Sequence, residues 1–148
     1  MNVSLRDWLA SGWLVEHRTS PREIADLLAV VDRDLANSQA AGLSPDWRLN
    51  IAYNAALQAA TAALAACGCR AGREAHHYRV VQSLAHTIGA GPALVARLDA
   101  FRRKRNVGSY ERAGAVSDQE AKEMLALAEQ LGEKVRKWLR AKHPELLP

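Results

Sequence analysis

Pro45-Asp46-Trp47-Arg48-Leu49-Asn50-Ile51-Ala52-Tyr53-Asn54-Ala55-Ala56-Leu57-Gln58-Ala59-Ala60-Thr61-Ala62-Ala63-Leu64-Ala65-Ala66 is the stretch that decides the fold. Alanine is the strongest helix former because it has no rotamer freedom to lose, and Ser44 with Pro45 supplies a cap and a first turn. The stretch predicts one long helix over about 45–67. Its larger residues, among them Leu49, Tyr53, Leu57 and Leu64, stand among small ones that let neighbouring helices approach closely. This helix belongs at the centre of a bundle.

Further helices are marked outward from it in both directions. Ser20-Pro21-Arg22-Glu23 reads as an N-cap, a proline in the first turn and a capping-box glutamate, and Ser117-Asp118-Gln119-Glu120 repeats the box. Ser4-Leu5-Arg6-Asp7 is a weaker start, and two more helices are bounded by Gly72 and by Gly91-Pro92. Apolar spacing agrees. Ile24, Leu27, Leu28, Val31 and Leu35 fall on one stripe, as do Met124, Leu125, Ala128, Leu131, Val135, Trp138 and Leu139. The expectation is an all-α, antiparallel up-and-down bundle of five to six helices, at roughly 4–17, 21–40, 45–67, 73–88, 92–106 and 118–141.

The chain's 148 residues suit one domain, and 28 alanines against 16 Val, Ile and Thr leave strands few or absent. The most apolar stretch, Ala55 to Cys67, is too short and too interrupted for a membrane span. Met1 to Leu9 contains Arg6 and Asp7 and no apolar run of the kind that secretion signals carry, so a cytoplasmic location is expected. Cys67 and Cys69 flank one glycine, too close to staple a loop and too few for a cysteine-built zinc site.

Charge singles out one segment. Of the net charge of +4, all lies between Arg97 and Arg112, where Arg97, Arg102, Arg103, Lys104, Arg105 and Arg112 face Asp99 and Glu111. A local excess of this kind suits an anion, nucleic acid included, although a solvated helix face gives the same count. Leu94, Leu98, Phe101 and Arg105 are spaced four, three and four apart, so Arg105 continues an apolar stripe while Arg103 and Lys104 project elsewhere. A guanidinium on such a line must be paired or face a polar seam, because burying it bare is prohibitively costly. Asn106, Tyr110 and Glu111 follow with an amide, a phenol and a carboxylate.

The run Phe101-Arg102-Arg103-Lys104-Arg105-Asn106-Val107-Gly108-Ser109-Tyr110-Glu111, then Ser117-Asp118-Gln119-Glu120-Ala121, resembles the signature region of HEPN domains. It is most similar to the branch in which tyrosine follows the motif arginine instead of histidine. Upstream, Ile51-Ala52-Tyr53-Asn54-Ala55-Ala56-Leu57-Gln58-Ala59-Ala60, Leu64, Gly68 and His76-His77 resemble the family's central hairpin. The likeness spans about residues 46–131 and implies a single HEPN-like helical domain, with the helices of 4–40 packed on that core. It implies a homodimer, a nucleotidyltransferase partner in a toxin–antitoxin pair, and in active members RNA cleavage through an arginine and a histidine four to six residues apart. Carried over, the motif arginine is Arg105 and the polar residue after it Asn106, and Tyr110 stands at the histidine's place. A phenol, with an ordinary pKa of about 10, is a poorer base near neutral pH than an imidazole near 6.5, which counts against cleavage. Phosphate binding by Arg105 and Arg102, with Arg103 and Lys104 beside them, is unaffected by that exchange.

His77 shares a stripe with Val81, Leu84 and Ile88 and so points inward, either as a hydrogen-bonded core histidine or as a member of the site. His76 and His86 lack ligand partners at helical spacing, so neither a metal nor a cofactor is expected. Trp8, Trp13, Trp47 and Trp138 read as core or bundle-edge anchors more readily than as base-stacking platforms. Three functions stay open: an RNA- or nucleotide-directed module with a degenerate nuclease motif, a metal-independent ribonuclease toxin in which Tyr110 or His77 replaces the missing histidine, and a non-catalytic bundle whose basic segment binds an acidic protein.

Overall fold

A computed structural model describes the backbone of residues 3–110 and 116–147, with side chains over 5–105 and 116–147. Among the described residues the chain is an all-α bundle with a minor two-stranded sheet. In order come α1 (Val3–Ser11), β1 (Leu14–Glu16), α2 (Pro21–Asn37), α3 (Pro45–Ala66), β2 (Cys69–Ala71), α4 (His76–Ser83), α5 (Pro92–Tyr110), α6 (Asp118–Lys142) and a 3-10 turn, Pro144–Leu146.

The alanine-rich helix is central, as its composition predicts. From Ala59 to Ala65 every residue of α3 is buried except Thr61, which satisfies its hydroxyl on the Leu57 carbonyl at 2.8 Å. α6 and α2 are the elements packed most extensively against α3. α6 presents Met124, Leu127, Ala128, Leu131, Val135 and Leu139, and α2 presents Ile24, Leu28 and Val31. α2 also buries Asp34, whose carboxylate accepts from Asn54 Nδ2 of α3 at 2.6 Å and Arg33 Nε at 3.1 Å. A buried carboxylate is tolerable only with such partners.

Ser117 and Glu120 close the reciprocal capping box at the start of α6. At α2 only half of the expected box exists. The Ser20 hydroxyl accepts from the Glu23 amide at 3.1 Å, but the Glu23 carboxylate accepts from Thr19 Oγ1 at 2.6 Å and contacts His17 Nε2 at 2.7 Å. Charge-assisted contacts of this type outweigh an exposed backbone amide, and they tie the segment leaving β1 to α2.

Three boundaries differ from expectation. α1 is described from Val3 and so already includes Ser4; it ends at Ser11, not at 17, because Gly12 takes a left-handed φ of +83° and the chain turns into β1. β1 pairs antiparallel with β2 in the register Leu14 to Ala71 and Glu16 to Cys69, fastening the N-terminal segment to the end of α3. α4 covers only His76–Ser83 of the expected 73–88, since Ala75 before it is left-handed at φ +48° and Leu84 to Thr87 continue as tighter turns. α5 runs past 106 to Tyr110, with Gly108 inside it. Among the described residues, no helix is long and apolar enough to cross a membrane.

Candidate functional site

The basic segment of α5 is organised by one acid. Asp99, 7% exposed, accepts from Arg102 Nε at 2.7 Å and from a terminal nitrogen of Arg103, three and four residues further along the helix. Arg103 otherwise faces solvent, and Lys104 reaches Glu120 of α6 at 3.4 Å. Three of the expected anion-binding cations therefore already carry carboxylate partners, Arg102 and Arg103 on Asp99 and Lys104 on Glu120.

Arg102 and Arg105, three residues apart, turn toward α3 and α4. The Arg105 guanidinium lies over the Tyr53 ring, 5.5 Å from its centre, and Arg102 lies over the Tyr78 ring at 5.4 Å. A cation above the negative face of an aromatic ring is held there electrostatically. His77 of α4 meets the same Tyr53 ring, with ring centres 5.9 Å apart. The inward-facing His77 and the stripe-ending Arg105 thus come together across helix boundaries, on the aromatic floor of α3.

The electrostatics follow from this packing. Burial pushes the Tyr53 phenol up to about 12, outweighing the pull of Arg105 and Arg102 toward ionisation. Its hydroxyl is buried and has no hydrogen-bond partner among the described residues. Burial also lowers the His77 pKa below its ordinary value, and the charges of Arg105, His76 and Arg102 act in the same direction. Both influences favour the neutral form of the His77 imidazole. Asn106 and Tyr110 ride on the last turns of α5, but their side chains lie outside the described residues, as does Glu111 altogether.

Spacing along the sequence does not single out Tyr53, Tyr78 and Asp99 as site residues. Tyr53 carries one available signal: it is the single aromatic ring between Trp47 and the end of the alanine-rich helix, and a phenol there must either find a partner or receive one. Tyr78 gives none, because its role depends on Arg102 arriving from another helix. Among the described residues no three His, Cys, Asp or Glu side chains are grouped as metal ligands. Comparison with known protein families, curated proteins and solved structures finds no match to this chain. The likeness to HEPN domains rests on the residues quoted for it.

Proposed function

We propose that the chain is a HEPN-like module directed at RNA or a nucleotide, in which Arg105 and Arg102, with His77 beside them, hold a phosphate. One observation carries this reading: the Arg105 guanidinium of α5 and the His77 imidazole of α4 meet on the Tyr53 ring, with Arg102 three residues before Arg105 and over the adjacent Tyr78. Guanidinium forks match phosphate oxygens in two-point geometry, and the buried Tyr53 hydroxyl is a further donor in search of an acceptor. A homodimer and a nucleotidyltransferase partner accompany this reading through the family likeness. Binding titrations with single-stranded RNA at several salt concentrations test it. Affinity should fall with salt at a log–log slope of about 0.7 per phosphate neutralised, and Arg105→Ala should weaken binding and flatten the slope by about one contact. Undetectable binding at low salt rejects nucleic acid as the ligand.

His77 favours a second reading, the metal-independent ribonuclease. An imidazole next to Arg105 can take the 2′-hydroxyl proton as that oxygen attacks phosphorus, Arg105 can meet the negative charge that develops on the non-bridging phosphoryl oxygens, and the departing 5′-oxygen takes its proton from the imidazolium or from water. Cleavage that persists in a chelator and disappears in both His77→Gln and Tyr53-preserving Arg105→Ala variants would select this reading. Full activity in His77→Gln would return that role to Tyr110.

A further inference from the structure

The rings outside the site continue it in one direction. Tyr78, next to His77 on α4, remains 36% exposed beneath Arg102. Its ring and that of Trp13 stand in a T-shaped contact, 6.1 Å between centres. Trp13 lies under Arg79 at 5.1 Å and against Trp8 at 4.9 Å, at the junction of α1 and β1. Arg79 Nη1 donates to the Trp13 carbonyl at 3.2 Å, which fixes that guanidinium in place on the ring. Core packing accounts for Trp8 and Trp13, which are half-buried, but it does not call for an exposed tyrosine held between an arginine and a tryptophan.

We propose that this run of rings and arginines is a track for single-stranded RNA, with a phosphate held at Arg105 and the following bases stacked over Tyr78 toward Trp13. The proposal rests on the RNA reading of the Arg105 site and adds to it the strandedness of the ligand and a second set of contacts. Each base has a face that an aromatic side chain can cover, whatever its identity, so stacking supplies affinity without sequence preference. A guanidinium already seated on a ring is ordered in advance, so a phosphate beside it is met at little further ordering cost. Duplex RNA keeps its base faces inside its own stack and cannot use Tyr78.

Fluorescence anisotropy with a labelled single strand of roughly twelve nucleotides, a length such surfaces cover, and with the matching duplex provides the test. Tyr78 is exposed, so its variants fold. Tyr78→Ala should weaken binding of the single strand about tenfold with the salt slope unchanged, because stacking releases no counterions, while Tyr78→Phe keeps wild-type affinity. Wild-type affinity in Tyr78→Ala, together with loss in Arg105→Ala, removes the track and leaves the phosphate site standing. Duplex bound as tightly as the single strand also overturns the track, and so does polyglutamate bound as tightly as RNA, which would make the surface a dock for an acidic protein. No RNA binding by the wild type at low salt defeats track and site together.

Discussion

Tyr53 concentrates the chemistry of the site in one atom. Its hydroxyl is desolvated without a partner among the described residues, a situation that costs on the order of 1–3 kcal/mol. Tyr53→Phe should therefore leave the urea midpoint unchanged or raise it; a loss above about 1 kcal/mol would mean that the hydroxyl is bonded in the free protein. His77 makes the complementary case in pH. Its pKa is lower in the folded chain than in the unfolded one, so below about pH 6.5 the unfolded state binds more protons and stability falls as pH falls through this window. Above it both states are neutral and His77 contributes nothing. Denaturation curves from pH 7 to 5 should show wild type losing stability faster than His77→Gln, and parallel losses would place His77 in an environment without those charges. Arg105 and His77 were legible in the sequence because each ends or joins an apolar stripe, which fixes a direction. Tyr53 and Asp99 were not, because their roles come from neighbours on other turns and other helices that spacing within one helix does not reveal.

At the level of elements, α2, α3 and α6 were readable from stripes and caps, and their packing yields sharp substitutions. A Cβ built on Gly132 of α6 would stand 3.6 Å from Val31 Cγ1 of α2, an ordinary contact. Gly132→Ala should thus stabilise by roughly 0.5–1 kcal/mol through helix propensity, while Gly132→Leu should cost about 1–3 kcal/mol by wedging α2 from α6. Thermal or urea melting of the pair decides whether the approach is as close as described. Ser117→Ala should cost about 1 kcal/mol by opening the capping box, and no loss would mean the start of α6 is held by other contacts. The strand pair escaped the sequence reading because three-residue strands are too short to set up an alternation, and their register depends on the left-handed turns at Gly12 and Gly68. α4 is shorter than its stripe for a related reason: Val81, Leu84 and Ile88 continue the stripe in sequence through turns that are no longer α-helical.

Across the whole molecule, the two free thiols at the end of α3 report on global opening. Burial pushes the Cys67 thiol up to about 11 and raises that of Cys69, so at pH 8 few are ionised. Native alkylation should run on the order of a hundredfold more slowly than that of free cysteine with its pKa near 8.5, and denaturant should restore the ordinary rate in step with the loss of helix signal. Fast modification of the native protein would mean that the junction of α3 and β2 opens locally. The bundle as a whole was legible because alanine content and caps are local properties. The meeting of α5 with α3 and α4 was not, since it depends on how distant helices close. That same closure bears on synthesis. α2 and α3 leave the ribosome as adjacent helices, but α6, which packs extensively on α3, is made after both, so the half-assembled chain waits with part of its central helix in water. A flank built of leucines would be adhesive during that interval. A helix whose buried residues are mostly alanines, Ala52, Ala56, Ala59, Ala60 and Ala63 among them, exposes little apolar area per residue, and the nascent chain is correspondingly poor at capturing its neighbours on a polysome.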